Sequence, residues 1–203
     1  MKLRHRCLCI ALLLALGAGP IAAQISGVRR TPRNVASIFA GLYTTIDAIY
    51  DPGTGSLWHF GDNAPAAGIA LHRQVVPGLL LGVEGSWARA DFERRTDGIV
   101  VAAGDADLFT ARATGRLQAA TPGSITGYLM GGFGFFGYRV PDPETTAWDL
   151  SLSTGAGIEY RFRPATGLFL EWDRIWAYHE SEGIDDNNTG RHSLLRLGLR
   201  RGF

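Results

Sequence analysis

Residues 148–162 read WDLSLSTGAGIEYRF, and along this stretch apolar side chains recur at every second position. Side chains of a strand point alternately to its two faces, so a period of two predicts a β-strand. One face carries Trp148, Leu150, Leu152, Thr154, Ala156, Ile158, Tyr160 and Phe162. The other face carries Asp149, Ser151, Ser153, Gly155, Gly157, Glu159 and Arg161. The first face suits lipid and the second suits a polar interior.

Two further segments show the same separation of apolar and polar positions. In residues 79–88 the polar face includes Glu84, and in residues 109–118 it includes Arg112 and Arg116. Weaker patterns mark the other five strands, at residues 37–50, 66–73, 125–140, 168–179 and 192–203. The fifth strand, residues 125–140, is apolar on both faces, which leaves its facing open.

Short and long links alternate between these strands along the chain. The short links carry proline or glycine turns and are residues 73–78, 121–124 and 164–167. The long links are residues 51–65, 93–104, 141–146 and 181–191. Barrels of bacterial outer membranes combine short periplasmic turns with long extracellular loops. We therefore predict an all-β fold, an eight-stranded antiparallel up-and-down transmembrane β-barrel. The strand pattern alone leaves open a soluble barrel with its apolar face inward.

The first residues have the organisation of a secretory signal peptide. Lys2, Arg4 and Arg6 precede an apolar run at residues 8–16, and small residues follow as far as Ala23. We predict a signal peptide at residues 1–23, a periplasmic lead-in at residues 24–34 and the barrel at residues 35–203. Loss of the three cations changes the formal charge from +1 to −2. A near-neutral chain argues against nucleic acid as a partner.

No cofactor or metal site is predicted. Cys7 and Cys9 lie in the predicted signal peptide, so the mature chain has no thiol. The mature histidines lie in separate segments, without the spacing of metal ligands: His59, His72, His179 and His192. Gly132, Gly134 and Gly137 spell GxGxxG, but no helix can start at the residues that follow, and we reject nucleotide binding.

The end of the chain resembles a known family. Residues 155–172, GAGIEYRFRPATGLFLEW, and residues 194–203, LLRLGLRRGF, look like the last three strands of the OmpA-type and opacity-type outer-membrane barrels. The resemblance implies a bacterial outer-membrane location, with membrane lipid and lipopolysaccharide as surroundings. It also implies that Phe203 is the assembly signal that the barrel-assembly machinery reads. Arg201 departs from the family, which commonly has Tyr at that position.

Charged residues on the polar faces predict an ion network inside the barrel. The set is Glu84, Arg112, Arg116, Glu159, Glu171, Asp173, Arg196 and Arg200. An eight-stranded barrel is just wide enough to be filled by its own side chains, and ions sealed inside must pair. In OmpA-type barrels such a network is proposed to gate a narrow conductance, and four members here, Glu84, Arg112, Glu159 and Glu171, resemble it. Phe169 stands where that family can have a luminal Arg.

One pair of residues is a candidate for catalysis. His179 and Ser181 are two apart at the outer end of the seventh strand, and a hydroxyl beside an imidazole is a minimal activated nucleophile. The spacing resembles that of the lipid A 3-O-deacylases, in which an Asn follows the Ser and a Glu on the last strand orients the His. Here Glu182 follows, and the last strand begins with His192 and Ser193. We therefore prefer a non-enzymatic interpretation.

The first long link carries aromatic residues that are unusual at a loop tip. Trp58, His59 and Phe60 are the predicted contact patch for an unknown extracellular ligand. The sequence thus favours an outer-membrane barrel with a side-chain-filled polar lumen and a structural or surface-interaction, adhesin-like role. A narrow gated channel of porin type and a deacylase-like hydrolase are the alternatives.

Overall fold

A computed structural model describes residues 34–46, 48–51, 55–119, 123–141, 144–163, 165–179 and 188–203. The strands in this part are β1 Asn34–Thr45, β2 Ile49–Asp51, β3 Ser56–Phe60, β4 Ala64–Val76, β5 Leu79–Thr96, β6 Ile99–Gln118, β7 Ile125–Pro141, β8 Glu144–Arg163, β9 Thr166–His179 and β10 Asn188–Gly202. The predicted signal peptide and the lead-in as far as residue 33 lie outside the described residues. No helix among the described residues is long and apolar enough to cross a membrane.

Eight of the strands close into a barrel. β1 and β4 to β10 each pair antiparallel with two neighbours, and β1 pairs with β10 to complete the ring. A row of register partners that starts at Val35 circles the barrel and returns to β1 at Thr45, a stagger of ten residues. Eight strands with this stagger tilt by roughly 40° from the barrel axis. The predicted eight-stranded antiparallel barrel is confirmed.

Three of the four long links contain paired strand among the described residues, which corrects the loops predicted there. Residues 181–187 of the fourth link lie outside the described residues. β5 continues to Thr96 and β6 begins at Ile99, so residues 93–104 form a hairpin with a two-residue turn. Asp97 and Gly98 have φ values of 51° and 79°, and Asp-Gly is the dipeptide that such a turn favours. The link of residues 51–65 contains β3, which pairs with β2 and with the outer end of β5. The antiparallel pairing of β7 with β8 continues outward as far as Pro141 and Glu144.

Apolar side chains cover the outside of the barrel. Leu152 and Ile158 are 47% and 55% exposed, whereas Glu84 and Glu159 are 4% exposed. This is the arrangement of a barrel in lipid, and it argues against the soluble alternative. The facing of the fifth barrel strand, β7, is now given by the structure: Tyr128 points into the lumen and Leu129 points outward.

Glycines on β7 let neighbouring backbones approach where a side chain would not fit. A Cβ added at Gly134 would collide with the Ala111 carbonyl oxygen and lie 2.7 Å from Cα of Arg112. A Cβ added at Gly127 would meet nothing within 4 Å. The two glycines therefore provide a crowded site and an uncrowded control site on the same strand.

We expect Gly134→Ala to lower the free energy of unfolding by about 1–3 kcal/mol, because backbone atoms cannot move aside as a side chain can. Gly127→Ala is the control and should leave stability nearly unchanged. Urea unfolding in lipid vesicles, followed by tryptophan fluorescence, measures both. Equal stability of the two variants would contradict this account of the β6–β7 contact.

Candidate functional site

The eight predicted network residues are all inside the barrel, and each is at most 4% exposed. They are Glu84, Arg112, Arg116, Glu159, Glu171, Asp173, Arg196 and Arg200. The four arginines come from β6 and β10, and the four carboxylates come from β5, β8 and β9. The numbers of positive and negative groups are equal, so the layer is neutral when every group is ionised. Charges sealed from water require this compensation.

Glu84 is the first centre of the network. Its Oε1 accepts hydrogen bonds from Arg112 at 2.6 Å and from Arg196 at 2.5 Å. Arg116 lies 3.8 Å from the other carboxylate oxygen. Because β10 is not a neighbour of β5, the Arg196 contact crosses the lumen. Arg112 also pairs with Asp173 at 2.6 Å, which extends the network to β9.

Glu171 is the second centre. Arg116, Arg196 and Arg200 pair with it at 3.1, 2.6 and 3.0 Å. Tyr128 donates its hydroxyl hydrogen to Glu171 at 2.5 Å. Tyr128 was not foreseen, because it lies on the strand whose two faces are both apolar in sequence. Three cations on one carboxylate leave the lumen little freedom to open at this level.

Glu159 continues the network towards the ends of the chain. It pairs with Arg200 and, at 2.8 Å, with Arg161, whose side chain is 24% exposed. Aromatic rings cover the arginines on the inner side of the barrel. The Arg196 guanidinium lies 4.5 Å from the centre of the Phe39 ring, and that of Arg200 lies 4.7 Å from the Phe169 ring. These cation–π contacts stabilise desolvated cations.

A second layer fills the extracellular half of the lumen, and it is aromatic instead of ionic. His192 stacks on Phe136 with ring centres 4.4 Å apart and an interplanar angle of 4°. The two ring nitrogens of His192 lie 3.2 Å from the Tyr138 hydroxyl and 3.3 Å from the Thr45 hydroxyl. Tyr43 packs against the same rings. This aromatic layer departs from the polar lumen that the sequence predicts.

The predicted contact patch does not form an exposed surface. Trp58 and Phe60 are 5% and 7% exposed, and both pack on Phe92 inside the barrel mouth. His59 between them is half-buried. The prediction is wrong for Trp58 and Phe60 because the segment is strand β3, which turns alternate side chains inward. Its neighbour Leu57 is 41% exposed.

The remaining predicted residues have different outcomes. His179 is the last residue of β9, and its backbone is paired with Asn188. Ser181 lies outside the described residues, so the catalytic hypothesis stays a prediction.

Phe203 closes the ring, since its N–H donates to the Asn34 carbonyl at 2.9 Å and its carbonyl accepts from the Asn34 N–H at 3.2 Å. Its side chain is 70% exposed. No cluster of three potential metal ligands occurs in the part of the chain that is described.

Comparisons with known proteins agree with this geometry at the level of the fold. Neisserial surface protein A, NspA, is 14% identical, with a TM-score of 0.58 over 84% of this chain and 97% of that one. The outer membrane protein OprG from Pseudomonas aeruginosa is 12% identical, with a TM-score of 0.51 over 85% and 97%.

The chain has the fold of the small outer-membrane β-barrels. No protein-family model and no curated protein matches the sequence. At this identity the likeness extends to the barrel architecture alone. The resemblance to OmpA-type and opacity-type barrels is confirmed in that sense.

The ion network generates a prediction with an internal control. The Arg112–Glu84 and Arg95–Glu93 pairs have the same 2.6 Å separation, but their side chains are 0% and 43% exposed. We expect Glu84→Ala to cost about 3–5 kcal/mol, because it leaves buried arginines uncompensated. Glu93→Ala should cost at most about 1 kcal/mol, because solvent screens an exposed pair. Urea unfolding in vesicles measures both changes, and similar costs would refute a stabilising role for the network.

Proposed function

We propose that this protein is a closed outer-membrane barrel that acts at the cell surface and does not conduct solutes. The observation that carries the proposal is the hairpin of β5 and β6, which continues beyond the apolar wall. Outward-facing residues on β5 change from Trp87, at the edge of that wall, to Arg89 and Asp91. The Arg89–Asp105 pair, at 3.0 Å, is more than half exposed. From Arg89 to Thr96 the hairpin extends roughly 18 Å further from the membrane.

The outer end of β6 has an edge without a strand partner among the described residues. β6 is paired with β5 as far as Ile99, but its pairing with β7 ends at Asp107. Between these limits, the second edge of β6 has no strand partner among the described residues. Ile99, Val100 and Val101 are 68%, 47% and 49% exposed there. Free backbone groups beside apolar side chains are what an added strand needs. We propose that an extended segment of an extracellular protein pairs with this edge.

The proposed edge predicts a specific loss of binding. Val101→Lys should weaken binding of a fluorescent peptide of alternating threonine and valine about tenfold, because a charge on an edge opposes strand addition. Fluorescence anisotropy on the barrel in lipid nanodiscs measures the affinity. Ile46→Lys is the control, since Ile46 is also apolar and exposed, at the end of β1. Equal binding by both variants and the unaltered protein would refute the edge as the contact.

The two filled layers favour a closed lumen over the gated-channel alternative. An ion would have to displace both the arginine–carboxylate network and the stacked rings of Phe136 and His192. We expect the purified barrel to leave the conductance of a planar bilayer at its baseline. Phe136→Ala, which thins one layer only, should do the same. A steady current from the unaltered protein that Arg112→Ala changes would refute the closed barrel and favour a narrow gated channel.

A further inference from the structure

One row of the outer wall is polar although the row below it is apolar. Thr44, Ser193, Arg174 and Thr154 are register partners on the adjacent strands β1, β10, β9 and β8. All four side chains point outward, because the residues beside them in each strand face the lumen. Direct partners on neighbouring strands have Cβ atoms about 5 Å apart, so the row is continuous.

The depth of this row places Arg174 at the outer border of the apolar wall. The row directly below consists of Leu42, Leu195 and Trp172, which are 46%, 48% and 48% exposed. Above it, exposed Arg191 is the partner of Trp176. Arg191 lies on the neighbouring strand, opposite the residue two positions beyond Arg174. At the tilt of this barrel, Arg191 is therefore about 8 Å nearer the outer end of the barrel than Arg174. An arginine on the lipid face destabilises a barrel unless its charge is compensated.

Among the described residues, no acidic side chain lies beside Arg174 on the outer wall. Arg174 forms no ion pair with any described residue. Among the described outward-facing side chains of β8, β9, β10 and β1, none is a carboxylate. A second copy that used this face would therefore bring Arg174 against arginine and not against an acid. None of these described side chains supplies the compensating anion.

We propose that Arg174, with Ser193 and Arg191, binds a phosphate of lipid A, the anionic glycolipid of the outer leaflet. The guanidinium fork suits two phosphate oxygens, and the Ser193 hydroxyl is a further donor in the same row. Arg191 lies diagonally above, at the level of the headgroups. Trp172 and Trp176 on either side of Arg174 suit the boundary between headgroups and acyl chains. The inference rests on the proposed outer-membrane placement and adds a specific lipid site to it.

The test compares lipid A with lipid A from which both phosphates have been removed. Native mass spectrometry of the folded barrel in detergent measures binding of each lipid. We expect Arg174→Leu to reduce lipid A binding about tenfold, as for loss of a charge-assisted contact, and Arg174→Lys to reduce it less. The dephosphorylated lipid should bind weakly and equally to all forms. Arg201→Leu, an exposed arginine at the opposite end of β10, is the control and should bind as the unaltered protein does.

Three outcomes would overturn the proposal. They are equal binding of the two lipids, unchanged lipid A binding by Arg174→Leu, and loss of an oligomer or a bound protein in that variant, which would make the counter-charge a protein group. The heat-dependent gel mobility of each variant shows that it is folded. A second readout is the unfolding temperature, which lipid A should raise for the unaltered protein and not for Arg174→Leu. Failure here, with peptide binding to the β6 edge intact, would leave the proposed surface function standing.

Discussion

Compensation of buried charge is the constraint on which the rest of this barrel depends. Glu84 and Glu171 each contact three arginines, and those arginines reach them from β6 and from β10 on different parts of the wall. The backbone hydrogen bonds of a barrel connect only neighbouring strands. The network adds connections across the lumen, so it fixes how the opposite walls face each other. Removing one member therefore affects several strands at once.

The lumen contains two layers of different chemistry, one towards each end of the barrel. Towards the periplasmic ends of the strands, arginines and carboxylates form a neutral layer. Towards the outer ends, the rings of Tyr43, Phe136, Tyr138 and His192 form a compact layer that Phe60 joins from β3. The β2–β3 hairpin thus supplies side chains to the plug and covers it. Part of the first link therefore lies in the outer mouth of the barrel, whereas the hairpin of β5 and β6 extends further outward.

The sequence predicted those features that depend on a period of two. The alternation in β5, β6 and β8 placed Glu84, Arg112, Arg116 and Glu159 correctly inside the barrel, because each of these strands has one polar face. β7 gave no such signal, since Leu129 and Met130 are both apolar although only Met130 is buried. The inward turn of Trp58 and Phe60 was missed because a five-residue strand inside a link has too few positions to show alternation. The Asp97–Gly98 dipeptide is a hairpin signal within a link that was predicted to be a loop.

The ring closes through the first and last described residues, since Asn34 and Phe203 exchange two backbone hydrogen bonds and β1 pairs with β10 along its whole length. Until β10 has been made and delivered, β1 has one edge without hydrogen bonds, and a chain of seven strands would expose that edge to hydrocarbon. A barrel closed in this way cannot enter lipid one strand at a time without exposing unpaired backbone groups. Entry into lipid and closure of the ring are therefore coupled events for this fold, and a chain without β10 has no closed state to reach.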